Sequence, residues 1–260
     1  MTFLSRRAVF LLYVDRPTGR PHPGDAARGQ APQIRSGRWA VRGGLASVRG
    51  HTSDVFASSN YPPDQAEADR FVAEMRHGTL IACTADGYPQ VSILPFVRTG
   101  DVIELHCVQG DPTFDAVKIN RRVTFFVSDF LAWSPHDWVD ERDAGRATLH
   151  FRAVAFECDV ERTSTDPGDV AGALSRLLAA YEPGASYEPV KTGDFYGARL
   201  RRLATMRLRI VRSHVKFKTG PAGAGETKRM VAAKLRERGE PGDPRAADVI
   251  EMYLRERPQA

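Results

Sequence analysis

Cysteine is scarce in this chain: three in 260 residues, at 83, 107 and 158. Their number is odd, their spacing wide, and no C-x-x-C pair occurs, so neither a disulfide framework nor a zinc site is indicated. A reduced, cytoplasmic protein fits best. Long apolar runs are missing too. Nothing approaches the roughly 18–20 residues of a membrane span, and "AVFLLYV" at 8–14 has no small-residue cleavage pattern after it. There is no Walker sequence, G-x-G-x-x-G, H-E-x-x-H or Ser-His-Asp order. Any catalysis must therefore be carried by a cofactor that the protein orients. Acidic residues are nearly absent from residues 1–53, which hold nine arginines against two aspartates. That segment is +7 where the whole chain is +5, so the remainder carries −2. A near-neutral body argues against direct nucleic-acid binding, which needs basic residues on a folded face.

What is present divides the chain into three. Residues 1–53, rich in Arg, Gly and Pro and without sustained periodicity, read as a basic extension: a disordered arm or an over-extended start. Residues 54–220 should fold. Ala68, Phe71, Val72 and Met75 form one apolar stripe of a helix that Gly78 ends. Three β-rich runs follow, separated by "ADG" and "TGD" turns, then a short helix "TFDAVKINRR" and a fourth strand "RVTFFVSDF". "WSPHDWVDERDAGR" is a loop. "ATLHFRAVAFECDVER" alternates, with Leu149, Phe151, Ala153, Ala155 and Cys158 among its apolar positions. A helix carrying Val170, Leu174, Leu177, Leu178 and Tyr181 precedes "ATMRLRIVRSHVKFK", where Met206, Leu208 and Ile210 share a face. Residues 221–260 form a charged helical tail. About six mostly antiparallel strands with short turns predict a mainly β fold, closed into a barrel with flanking helices.

Within that order, particular wordings stand out: Leu94-Pro95-Phe96, His106 with Asp111-Pro112, Ser134-Pro135, Thr148 with Phe151, and Lys216-Phe217-Lys218. Together they resemble the FMN-binding split-barrel superfamily of the pyridoxamine-phosphate oxidases. Within it they are most similar to the PaiB-like branch, the FMN-binding negative transcriptional regulators. The resemblance covers about residues 54–255. It implies an antiparallel split barrel, an intertwined homodimer and FMN at the subunit interface. The chain departs from the branch at Asp111, where an Asn is typical, at Leu149 and His150, where Trp and Asn are typical, and at Thr219 onward.

The residues suggest where a flavin would sit. The turn Gly110–Asp111–Pro112 leads into a helix start whose N–H groups, from Thr113 onward, could face a phosphate, with Lys118 and Arg121 or Arg122 nearby. Asp111 would sit badly there, so it either caps the helix or faces away. Val91, Ser92 and Ile93 offer strand backbone beneath the ring, and Lys216 or Lys218 could point one charge at it. The resemblance adds Ser134 and His150. His106, at a strand end, could hydrogen-bond a flavin, act as acid or base, or ligate the iron of haem b, which some relatives bind. Its neighbour Cys107 should pack in the core. Without the resemblance, each of these residues has a structural reading: capped helix, solvated lysine or buried histidine. Three functions follow: a small-molecule FMN oxidoreductase or flavin-dependent regulator, a haem protein or enzyme on the same scaffold, or a non-catalytic regulator.

Overall fold

A computed structural model describes residues 64–256. The basic extension at 1–53 and the expected onset of order near Asp54 lie outside them. Helix α1 (Gln65–Glu74) starts at Asp64, whose carboxylate accepts from the Glu67 N–H at 2.9 Å. Ala68, Phe71 and Val72 are buried as the stripe requires. Gly78 does not end this helix, because the chain leaves it at Met75 and Gly78 lies inside strand β1 (His77–Cys83). The glycine is needed there for another reason: a Cβ would stand 2.4 Å from Cζ of Phe125, a wholly buried ring.

β2 (Pro89–Thr99) and β3 (Val102–Val108) complete the expected meander. After α2 (Pro112–Ile119) come β4 (Arg122–Ser134), two short 3-10 turns, β5 (Thr148–Ser164), α3 (Pro167–Tyr181), the four-residue α4 (Gly197–Leu200) and β6 (Leu203–Lys218). The six strands close in the order β1-β2-β3-β6-β5-β4, all antiparallel. Side chains of every strand fill the barrel, among them Leu80, Phe96, Leu105, Phe125, Phe156 and Met206. Each such Leu or Phe contributes about 1.5–3 kcal/mol by leaving water. Cys107 belongs to this core, and burial pushes its thiol up to about 12. Phe71 of α1 meets Phe217 edge-on at the end where β6 finishes. Phe114 and Val117 of α2 enter the same core from the end where β3 finishes.

Of the apolar positions expected in β5, Ala153, Ala155 and Cys158 are buried but Leu149 and Phe151 are not, so the alternation is only partial. His150, Arg152, Val154, Phe156, Cys158 and Val160 are buried, whereas Leu149 is exposed and Phe151 half-buried. Apolar residues line both faces of this strand, so alternation alone picks neither. In β6 a register shift between Ile210 and Arg212 leaves Val211 unpaired. Before it Met206 and Leu208 point inward; after it Val215 and Phe217 do. Lys216 and Lys218 are thereby turned outward.

α5 (Gly225–Arg238) and α6 (Asp243–Glu256) form a hairpin whose Val231, Ala232, Leu235, Ala246, Ala247 and Ile250 bury Leu131 and Ala132 of β4. Arg238 joins the two helices through Asp243, at 2.7 and 2.8 Å, and also donates to the Trp133 carbonyl at 2.8 Å.

Candidate functional site: a split between two strands

The barrel has an opening, and it lies where β2 changes partners. β2 pairs with β1 from Pro89 to Pro95, and with β3 only from Phe96 to Thr99. Along Pro89–Pro95 the edge of β2 facing away from β1 has no strand partner among the described residues. Two prolines, which have no N–H to offer a ladder, bracket it. Extending the β2–β3 register places His106 across from Pro95, Cys107 across from Leu94 and Val108 across from Ile93. His106 shares the outward face of β3 with Glu104, and its imidazole has no hydrogen-bond partner among the described residues. Burial lowers its pKa, which keeps the ring neutral at pH 7.

α2 bridges the split by a polar cluster. Asp111 accepts from the Thr113 N–H at 2.8 Å and from Thr113 Oγ1 at 2.6 Å, and Ser92 Oγ of β2 donates to both of its oxygens, at 2.8 and 3.0 Å. The carboxylate therefore occupies the helix N-terminus, where the sequence suggested a phosphate. An anion would meet Asp111 there, not free N–H groups. The cations are at the other end of the helix. Lys118 pairs with Asp115 at 2.9 Å and lies over the Phe114 ring, while Arg121 donates to the Val160 carbonyl. The guanidinium of the exposed Arg122 has no partner among the described residues.

Beyond the split, the outer face of β2 is apolar and exposed. Val91 is 58% and Ile93 71% accessible. Register carries the row from Ile93 through Thr79, Phe126 and Ala155 to His214, and the next from Ser128 through Ala153 to Lys216. His214 Nε2 lies 2.7 Å from a carboxylate oxygen of Glu157. Through β1, β4 and β5 these rows reach Lys216 and Lys218 four strands from β2, about 19 Å at the usual strand spacing, although on the β3 side β6 is only two strands from β2.

His150 and Ser134 are elsewhere, sealed beneath the helical hairpin. The Gly220 N–H donates to His150 Nδ1 at 3.1 Å, so Nε2 carries the proton and gives it to Ser134 Oγ at 2.9 Å. Ser134 in turn faces the Thr148 carbonyl at 3.4 Å. Burial, with Lys218 and Arg238 nearby, lowers the imidazole pKa to about 4. These two side chains spend their polar atoms inside the chain. The structure thus gathers Val91, Ser92, Ile93 and His106 around the split, with Lys118, Arg121 and Arg122 following on α2 and its exit. Lys216 and Lys218 lie at the far edge of the same face, and Ser134 and His150 are removed from it.

At the family level, residues 56–215 match the family described as "Putative FMN-binding domain". The chain belongs to this family. FMN is the cofactor that membership supports. Comparison with curated proteins returned no match. Among solved structures, the chain is similar to the flavocytochrome Anf3 from Azotobacter vinelandii at 22% identity and a TM-score of 0.50, over 64% of this chain and 72% of that one. It is also similar to the FAD and heme binding protein from Mycobacterium smegmatis at 19% identity and a TM-score of 0.49, over 63% and 76% of the two chains. At such identity the likeness to Anf3 concerns the fold, an antiparallel split barrel. In the FMN-binding family frame, sequence reading missed the charged groups that alternation could have flagged. Arg152 holds an inward position of β5, paired with Asp129 at 2.9 Å and Glu74 at 3.1 Å. A charge in a core register is itself the signal.

Proposed function

We propose that this protein is a homodimeric FMN-dependent oxidoreductase of the PaiB-like type, exchanging electrons with a small molecule at the split between β2 and β3. The carrying observation is the unpaired β2 edge from Pro89 to Pro95, flanked by exposed Val91 and Ile93. A flavin needs hydrogen-bonding groups at its polar edge, an apolar wall for its ring and cations for its phosphate. The free backbone of residues 91–93 provides the first and the side chains of Val91 and Ile93 the second. Arg122, with Lys118 and Arg121, provides the third. Bound FMN supplies hydride or electron transfer. The chain's own part is to hold the ring edge, exclude water with the apolar wall, and present neutral His106 at the rim as hydrogen-bond partner or base.

A second copy would complete the site. In a two-fold interface the opposite ends of one face meet, so the partner would bring its Lys216 edge toward Val91 and Ile93. Lys216, remote within one protomer, then becomes a cofactor contact.

The test is FMN titration by flavin-fluorescence quenching on the full chain. Saturable binding is expected at one FMN per chain. Arg122→Glu should weaken it at least tenfold with the circular dichroism unchanged, since that guanidinium makes no bond among the described residues. Absence of saturable binding, or equal affinity in the variant, would remove the reading or its phosphate assignment respectively.

His106 supports a second reading, as an axial ligand of haem b, because burial favours its neutral form and its ring has no hydrogen-bond partner among the described residues. A Soret band on haemin addition that His106→Ala abolishes, with FMN binding retained, would establish it. No such band, or one that His106→Ala leaves intact, would dismiss it.

A further inference from the structure

We infer that the cleft between α1, β2 and the end of α3 is a second small-molecule site, separate from the flavin, that takes a monoanionic carboxylate with a compact aromatic or branched apolar body. The cleft encloses about 440 Å³, within the roughly 300–1,000 Å³ of small-molecule sites. Its floor is apolar: Val72 and Met75 of α1 and its exit, and Phe96 of β2. Its rim carries two guanidinium groups in different states. Arg98 is neutralised by Asp69 at 2.6 Å and also donates to the Gly100 carbonyl at 2.9 Å. Arg76 has no carboxylate partner among the described residues. It gives one N–H to the Ala180 carbonyl at 3.0 Å and lies 4.8 Å over the ring of Tyr181.

The Tyr181 hydroxyl is fully engaged. It accepts from the Phe96 N–H at 3.0 Å and lies against the carbonyls of Phe96 and Arg76, locking the end of α3 onto β2 and the α1 exit. Tyr181 thus holds Arg76 in place and leaves the ligand no hydroxyl to compete for. A guanidinium has five N–H donors. With one committed and the ring stacked on tyrosine, the remaining fork suits a carboxylate bidentately. One uncompensated cation above an apolar floor selects one negative charge on a small apolar body. A dianion would find only one free partner, and a neutral analogue would leave Arg76 unpaired.

The cleft meets β2 at Phe96, Val97 and Arg98. Ile93 is three residues from Phe96, about 10 Å along the strand. A ligand here therefore does not touch a ring lying against Val91–Ile93. It sits where β2 passes from β1 to β3, and its occupancy bears on the closed end of the split.

The experiment uses the full chain and 4-fluorobenzoate, followed by fluorine NMR, with 4-fluorobenzamide as neutral twin. The acid is expected to bind saturably and at least tenfold tighter than the amide. Arg76→Met, which keeps the aliphatic stem, should weaken it at least tenfold. Ala73→Phe, which fills the cleft from an exposed helical position, should abolish it. FMN titrations should be unchanged in both variants. The proposal is overturned by no saturable binding to the wild type, by equal affinity for acid and amide, by undiminished binding in both variants, or by displacement of the probe with FMN. Failure of the protein to bind FMN at all would count against the flavin site alone, because the fluorobenzoate measurement does not depend on it.

Discussion

The Gly220 N–H reaches His150 Nδ1 from one side and Ser134 Oγ receives Nε2–H on the other, so both nitrogens of this buried ring are committed in the neutral state. Protonation would place two donors against each other at Nδ1 and put a charge beneath the helical hairpin beside Lys218 and Arg238. The folded pKa of about 4 lies below the ordinary 6.5, so between those values the unfolded chain binds more protons. Stability from this residue is complete above pH 6.5 and is lost as pH falls toward 4. The difference is on the order of 3 kcal/mol. Urea denaturation at pH 7.5 and pH 5 should show about 2 kcal/mol of it. His150→Gln, which can still accept from Gly220, should be less stable at pH 7.5 yet lose less on acidification. An unchanged pH dependence would mean that other groups carry the acid sensitivity.

At the scale of elements, the hairpin of α5 and α6 depends on one glycine. Gly242 has a φ of +95°, and a Cβ there would stand 2.1 Å from the Leu131 carbonyl oxygen, a backbone atom that cannot turn aside. Gly242→Ala combines backbone strain with a clash at the point where α6 starts against β4. It should cost about 2–4 kcal/mol and raise hydrogen exchange in α5 and α6 before the barrel. Uniform exchange across barrel and hairpin would instead make the two one cooperative unit. The glycine gave no sign of this in sequence, since "EPGDP" reads as turn chemistry whatever approaches it. The elements themselves were legible wherever one period dominated: the stripe of α1, the meander of β1 to β3 and the helix α3 follow from apolar spacing. Legibility failed in β5, where both faces bury apolar groups, and in β6, where the step at Val211 reverses the face of every later residue. It failed at the site for a related reason. Asp111 was recognisable as a possible cap, but its bond to Ser92, 19 residues away, depends on how β3 and α2 fold back on β2.

At the scale of the molecule, the outward rows of β2, β1 and β4 through Ile93, Ile81 and Phe126 have no covering layer among the described residues. α3 packs over β2, β3 and β6, and the α5–α6 hairpin takes only the end of β4 at Leu131 and Ala132. Between them Ile93 is 71% and Phe130 64% exposed, with Ile81 and Phe126 half-buried in the same outward rows. Large apolar side chains exposed together on one face mark an interaction surface. If the flavin lies at the β2 edge as proposed, a second copy on that side would shield it and bring the Lys216 edge across. Sedimentation equilibrium of the full chain should therefore give a dimer at micromolar concentration. Phe130→Asp puts a charge in the same face, away from the Val91–Ile93 wall and without touching the core, so it should yield a folded monomer of unchanged circular dichroism. If the partner supplies part of the flavin site, that monomer should also bind FMN at least tenfold more weakly. A monomeric variant that retains full FMN affinity would confine the site to one protomer and return Lys216 to the solvent. A variant that remains dimeric would move the interface to another face of the barrel.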